Sequence, residues 1–438
     1  MVVIYVDDMG WLDTGFQGSE YYHTPNCDAL SRNGLTCTNG YANAPNSSPS
    51  RACFMTGQYT PRHGVFTVGS AERGNASARE LDPPPNSTEL SPDTVTLPEV
   101  LSETGYETAF FGKWDLGGAN TDRGPRAQGF DLNVGGTAIG RPHQGYFPPY
   151  GLPNIDGEDR EYLTDRLTDE AVAFIEDAAE PFFLQFSHYS VHTPIQAPDQ
   201  DVEQYRDREC WNGQCNAVYG GMIEALDRSV GRVMDALDAQ GITEDTLVVF
   251  TSDNGGLGDY EEVELSSGYS DITSQGPLRG GKGTLYEGGI RVPTVFHWPK
   301  RIDSGETSVP VIGSDVFPTL AELGDATVPD DHPVDGRSLV PLLGDGEPPD
   351  REALYWHFPA YLQASPSTFR TRPVGAIRAG TWKLLEFFED DRLELYDLAD
   401  DLGEENDLST ERPEKRDDLL GMMRSWRNRV NAPMPVPR

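Results

Sequence analysis

The chain has 438 residues and a formal net charge of −37, with 37% hydrophobic and 10% aromatic residues. That length allows about two to four ordinary domains, or one large domain with an appendage, and the apolar content supports a sizeable core. No apolar run approaches the ~18 residues of a membrane span. An excess of 71 Asp and Glu over 34 Lys and Arg repels polyanions, so nucleic-acid binding is not expected.

Lys occurs only at positions 113, 282, 300, 383 and 415. High Asp with so little Lys reads as a halophilic surface tuned to high salt; an ordinary acidic secreted protein is the alternative. Met1 runs directly into an apolar segment without a basic leader. The chain as given therefore reads as cytoplasmic, or as periplasmic or extracellular if a leader has been trimmed.

In chain order, five short apolar runs are predicted as buried strands: Val2–Val6, Thr108–Phe111, Phe182–Phe186, Leu247–Phe250 and Pro293–Phe296. Helical spacing separates them over Leu97–Thr104, Tyr162–Ala178 and Ala217–Ala239. A further helix is expected from Ala52 onward, with Arg51 at its start. This alternation predicts an α/β fold with a large, mostly parallel sheet flanked by helices on both faces. After Arg351 the pattern changes to short strands, Ala376–Arg378, Trp382–Phe388 and Leu393–Leu398, and a closing helix over Glu411–Val430. With Gly344, Gly346, Pro348 and Pro349 clustered before it, this predicts a first domain over 1–345. A smaller α+β subdomain with an antiparallel sheet is expected over 346–438.

The strand ends carry the chemistry. Asp7-Asp8, Gly112-Lys113-Trp114-Asp115, Ser187-His188 with His192, and Asp253-Asn254 follow four separate strands. Ligands bind beyond the carboxyl ends of strands in open α/β sheets. Asp7, Asp8, Asp253 and Asn254 form a hard-oxygen set suited to a divalent cation such as Ca²⁺; helix capping is the structural alternative for each pair. The segment Ser47-Ser48-Pro49-Ser50-Arg51 runs into a helix, whose N-terminus can hold an anion or an activated oxygen. His188, four residues before His192, lies in an aromatic neighbourhood that suits packing, with a contribution to the chemistry as the alternative, and His63 reads as structural. The five cysteines form no disulfide framework, and Cys210 and Cys215 are compatible with a local bridge or with free thiols.

Taken together, these residues resemble the type I, formylglycine-dependent sulfatases of the alkaline-phosphatase superfamily. The signature is Ser47-Ser48-Pro49-Ser50-Arg51 followed by Thr56-Gly57. With it come Asp7-Asp8-Met9-Gly10, Gly112-Lys113-Trp114, His192-Thr193-Pro194, Ser252-Asp253-Asn254-Gly255 and Gly281-Lys282-Gly283-Thr284. The resemblance continues to Trp382-Lys383-Leu384 and Glu394-Leu395-Tyr396-Asp397.

The resemblance implies that a Ser-type maturase converts Ser47 to formylglycine, whose hydrate is the nucleophile. It implies one Ca²⁺ held by Asp7, Asp8, Ser47 in its modified form, Asp253 and Asn254. Arg51 orients the nucleophile, Lys113 and Lys282 bind sulfate oxygens, and His192 protonates the leaving alcohol. The family usually has His where this chain has Asp115, which is either a substitute base or a residue of structure or altered specificity. Substrate contacts to a sulfated carbohydrate are expected from Arg141, His143, His357 and Arg372, with Tyr361 and Arg370 nearby, in a pocket that the 346–438 subdomain completes; packing of the subdomain junction is the alternative for each. A phosphatase or phosphonate monoester hydrolase of the same superfamily, and a non-catalytic sulfoglycan-binding protein with unmatured Ser47, are the alternatives. The eight His residues do not gather into a two-zinc pattern, since only His188 and His192 lie close to a motif.

Overall fold

A computed structural model describes residues 1–179, 181–258, 263–265, 268–270, 272–365 and 368–438; for 263–265, 268–270, 364, 365 and 368 it describes the backbone alone. The larger sheet contains β1 (Val2–Val6), β2 (Leu35–Cys37), β3 (Glu107–Gly112), β4 (Leu132–Val134), β5 (Phe182–Ser187), β6 (Val248–Ser252), β7 (Thr294–His297) and β8 (Gly305–Thr307). Their spatial order is β8-β2-β7-β6-β1-β5-β3-β4. Every neighbouring pair is parallel except those made by β7, which runs against both β6 and β2. The predicted strands are thus present, and the last of them is the reversed one.

β1 sits at the centre with all five residues buried. Successive side chains of a strand point to opposite faces, and β1 uses both. Val2, Ile4 and Val6 join the core beneath the long helices, while Val3 and Tyr5 join the core beneath the opposite layer. The helices include α1 (Pro25–Arg32), α2 (Ser47–Thr56), α3 (Leu97–Ser102), α4 (Leu163–Asp177), α5 (Ala217–Ala239), α6 (Glu287–Ile290), α7 (Val316–Leu323) and α8 (Pro413–Arg429). α4 and α5 cover one face of the sheet; α2, α3 and α7 contribute to the other. None of the described helices is long and apolar enough to cross a membrane.

α2 begins four residues before Arg51, not at it. Asn46 is its N-cap and Pro49 stands in its first turn. There the missing proline N–H costs no helical hydrogen bond and the fixed φ suits the helix. The proline therefore helps start the helix, and Ser47 becomes its first residue. Gly57, in the left-handed region at φ 68°, ends it. Cys210 and Cys215 are joined by a disulfide.

The second sheet is an antiparallel meander of β9 (Leu354–Phe358), β10 (Val374–Ala379), β11 (Trp382–Phe387) and β12 (Arg392–Asp397). Its apolar side packs on Leu419, Met423 and Trp426 of α8. It also packs on Tyr41, Tyr59, Leu285, Ile290 and Ile312 from the preceding part of the chain. Trp356 in β9 is central to this junction: its Nε1 donates to the Ala42 carbonyl at 2.8 Å, and its ring meets Tyr41 edge-on at 5.5 Å. Trp356→Ala removes a buried aromatic and leaves that carbonyl unpaired. We expect a loss of about 3–5 kcal/mol, measured by urea unfolding followed through far-UV circular dichroism.

Candidate active site

The carboxyl ends of β1, β6, β3 and β5 converge on one point beside the start of α2. Asp7 and Asp8 follow β1, and Asp253 and Asn254 follow β6, its hydrogen-bonded neighbour. The Asp8 N–H donates to Asp253 Oδ1 at 3.2 Å, and Asn254 Nδ2 donates to Asp8 Oδ1 at 2.8 Å. Asp8 adopts φ 63°, which turns the chain sharply so that the adjacent carboxylates splay. Asp7, Asp8 and Asp253 are fully buried, with one oxygen from each within 4.8 Å of the others.

Ser47, on the first turn of α2, faces this group. Its Oγ–H donates to Asp7 Oδ1 at 3.1 Å, Asn254 Oδ1 lies at 3.4 Å, and Lys113 Nζ donates to the Ser47 Oγ at 3.0 Å. Lys113 Nζ also donates to Asp7 Oδ2 at 2.7 Å. Arg51, one turn further along α2, donates from Nε to Asp253 Oδ2 and from Nη1 to the Lys113 carbonyl. Lys282 Nζ lies 2.6 Å from Asp8 Oδ1. His192 Nδ1 donates to the Thr193 carbonyl at 2.7 Å, which leaves Nε2, 3.7 Å from Asp8 Oδ2, facing the cleft.

Burial sets the protonation energetics, and neighbouring charges redirect it. Burial, helped by Asp253 and Asp8, holds Asp7 well above the usual carboxylate range against the opposing Lys113. Burial also acts to raise Asp8, but Lys282, His192 and Lys113 outweigh it and hold Asp8 low. At Asp253, Arg51 and Lys113 overcome burial in the same way. Burial, then Lys282, pushes His192 down to about 3. Three buried carboxylates beside an amide oxygen form an oxygen-only donor set that fits a hard divalent cation such as Ca²⁺.

A cleft of about 720 Å³ opens over this group. Its walls include Asp8, Ser47, Lys113, Asp115, His192 and Lys282 at the base, and Arg141 and His143 higher up. Asp115, at φ 60°, accepts from Ser48 Oγ at 2.7 Å and is therefore tied to the residue next to Ser47. Arg370 and Gln363 reach the cleft from the hairpin after β9.

Two expected substrate contacts lie elsewhere. His357 is buried within β9, where Nε2 bonds to the Pro433 carbonyl and the ring lies beside Phe66 and Phe388. Arg372 pairs with Glu389 and covers the Phe369 ring. Neither is part of the cleft wall. All five β9 residues are buried, so the aromatic setting of His357 reflects packing, whereas Arg372 is exposed beside Glu389. Conversely, Arg73, Thr88, Glu89 and Gln363 line the cleft, although no motif marks them in the sequence. His188 is buried against Phe186 at 4.0 Å, in a packing role.

A mostly parallel sheet whose strand ends gather buried carboxylates, two lysines, a histidine and a serine on a helix start defines a hydrolase of anionic esters. The comparisons make the class specific. The sulfatase family profile matches residues 1–326, and the profile of the C-terminal region of N-sulphoglucosamine sulphohydrolase matches residues 281–425. A sulfatase of Formosa agariphila is 32% identical over 520 residues, covering 100% of this chain and 90% of its own. Mouse N-acetylgalactosamine-6-sulfatase is 32% identical, covering 81% of this chain and 68% of its own. A crystal structure of Ps i-CgsB in complex with k-i-k-neocarrahexaose is 31% identical with a TM-score of 0.78, covering 97% of this chain and 92% of that one. The chain belongs to the sulfatase family and is a sulfuric ester hydrolase.

Four imidazoles resist protonation in the folded state. Burial lowers His63, His188, His192 and His357 each to about 3, from an ordinary value of 6.5. Between those limits the unfolded chain binds more protons than the folded one, so stability falls as pH is lowered from 6.5 toward 3. Each contributes a slope of up to about 1.4 kcal/mol per pH unit. The urea midpoint should therefore drop between pH 6.5 and 4.5, and less steeply in His188→Gln, which removes one titrating group outside the cleft.

Proposed function

We propose that this sulfatase hydrolyses sulfate esters of a carbohydrate, with Ser47 matured to formylglycine and one Ca²⁺ held by Asp7, Asp8, Asp253, Asn254 and the modified residue. The observation that carries this reading is the placement of Ser47. A small hydroxyl-bearing side chain begins a buried helix and meets Asp7, Asn254 and Lys113 at 3.0–3.4 Å. A serine needed only to start a helix has no use for a buried lysine. When bound, Ca²⁺ supplies Lewis-acid polarisation of the sulfate and eases ionisation of the hydrated formylglycine.

The side chains divide the remaining work. Arg51 holds Asp253 from two nitrogens and thereby fixes the donor set. Lys113 and Lys282 bind the nonbridging sulfate oxygens and stabilise charge that grows in the transition state. The Thr193 carbonyl fixes the ring proton on Nδ1, so Nε2 is the nitrogen that takes up a second proton and delivers it to the departing alcohol. His192 is neutral in the free site, and an anionic ester beside it raises its proton affinity, so protonation accompanies substrate binding. Asp115 serves as the base for sulfate release, with its carboxylate held by Ser48.

The carbohydrate assignment is supported by the bound oligosaccharide named for the Ps i-CgsB structure and by the hexosamine named for the mouse relative. A cleft of about 720 Å³ falls in the usual size range of ligand sites. Arg73, Arg141, His143 and Arg370 provide charged and polar groups for a sugar. Residues 346–438 act as the part that closes one wall of this pocket, through Gln363 and Arg370.

Coexpression with a Ser-type maturase should lower the mass of the Ser47 peptide by about 2 Da and yield inorganic sulfate from sulfated oligosaccharides, read by ion chromatography. Ser47→Ala should lower release to background. An unmodified Ser47 with no release would overturn the reading in favour of sulfoglycan binding without turnover. Separately, Ca²⁺ should raise the melting temperature in calorimetry, by a stabilisation of about 2.7 kcal/mol at a hundredfold excess over its dissociation constant. EDTA should reverse the shift, and Asp253→Asn should abolish it.

A further inference from the structure

Lys383 is one of only five lysines, and the reaction does not use it. It lies on β11 with no exposed surface. Its Nζ is 2.9 Å from Glu287 Oε1 and 2.9 Å from Glu404 Oε1, and both carboxylates are themselves fully buried. An ammonium and two carboxylates removed from water are costly to assemble and destabilising to break. The fold therefore retains a buried ionic triad at the junction of its two sheets.

The triad closes on the loop that carries Lys282. Glu287 begins α6, just beyond that loop, and its N–H donates to Glu404 Oε2 at 2.6 Å. Arg279, at the other end of the loop, donates from Nη1 to the Glu404 carbonyl at 3.0 Å and to the Tyr396 hydroxyl at 2.9 Å. The Gly288 N–H then donates to the Arg279 carbonyl at 2.9 Å, pinching the two ends together. A Cβ at Gly288 would sit 2.2 Å from the Gly280 carbonyl oxygen, so the pinch leaves room for glycine alone. Beyond α6's start, the Gly289 carbonyl accepts from Gly255 N–H at 2.9 Å, one residue from Asn254. Tyr41 and Arg291 complete the shell around Glu287.

We propose that Lys383, held between Glu287 and Glu404, is a positioning residue that fixes both ends of the 279–288 loop and so sets the reach of Lys282 Nζ into the active site. This inference rests on the reading of Lys282 as a sulfate-binding group. A conserved volume without charge at 383 leaves Glu287 and Glu404 facing each other, and the loop ends separate. The damage is then expressed through Lys282 and not through the general fold. It also accounts for a lysine kept far from the cleft in a chain that has so few.

A double-mutant cycle on the matured enzyme tests this, with kcat/KM for a chromogenic aryl sulfate as the readout, well below each variant's melting temperature. K282A, K383M and K282A/K383M form the cycle. If K383M fails to fold, K383M/E404Q replaces it. Burial, with Glu287 beside it, pushes Glu404 up to about 7 against the pull of Lys383. The neutral amide therefore mimics a form this carboxyl readily adopts, and Glu287 keeps Arg291 as partner. We expect K383M to lower kcat/KM at least tenfold in the wild-type background and less than threefold once Lys282 is absent. Equal factors in the two backgrounds would overturn the proposal while leaving the Lys282 reading intact. An unchanged K282A would overturn both.

Discussion

Three carboxylates forced together out of water are the constraint around which the molecule is arranged. Asp7, Asp8 and Asp253 have no exposed surface, and one oxygen from each lies within 4.8 Å of the others. Buried charge is tolerable only when paired. Arg51, Lys113 and Lys282 supply three matching cations from a helix, a strand end and a loop. Each carboxylate therefore has a cation paired with it, and a divalent cation would add the positive charge that attracts a sulfate ester. Each compensating cation must be delivered to hydrogen-bonding distance of its carboxylate, which explains why so much of the fold is spent on anchoring the segments that carry them.

The anchoring is visible at every cation. Arg51 is placed by α2, whose ten residues are all buried. Lys113 leaves β3 beside β5, and its own backbone N–H donates to the Ser187 carbonyl at 2.7 Å. Lys282 has no strand behind it, and its loop is instead held by the surrounding chain. Its N–H donates to the Gly256 carbonyl at 2.8 Å, and its carbonyl accepts from Arg370 Nε at 2.5 Å. The second sheet, through Lys383 and Tyr396, and the hairpin inserted after β9, through Arg370, thus touch the loop on which one of the three compensating cations depends.

Asp115 shows how a local departure from a family pattern can be accommodated. A carboxylate here adds negative charge beside an anionic substrate, yet its backbone turn at φ 60° and the Ser48 hydroxyl give it a defined orientation. A carboxylate held in one orientation on the cleft wall is compatible with the base proposed above. The same tie makes the position sensitive to how α2 begins, since Ser48 is the second residue of that helix.

Much of this was legible in the chain itself. Short apolar runs with ionisable residues at their ends predict parallel strands, and β1, β3, β5 and β6 are where that pattern places them, with Asp7-Asp8 and Asp253-Asn254 at strand ends. These features depend on local periodicity and spacing, which a linear sequence displays directly. The start of α2 was less legible, because Pro49 reads as a turn residue until a first helical turn is built around it. The setting of His357 was not legible, since an aromatic segment looks the same whether it lines a pocket or fills a core. What the sequence determined alone was the fold class and the kind of chemistry gathered at the strand ends. Only the tertiary structure decided which distant side chains meet: Ser48 with Asp115, Arg73 and Glu89 with the cleft, and Lys383 with Glu287 and Glu404. Those pairings are set by how two sheets and their loops pack in three dimensions, and separation along the chain carries no record of them.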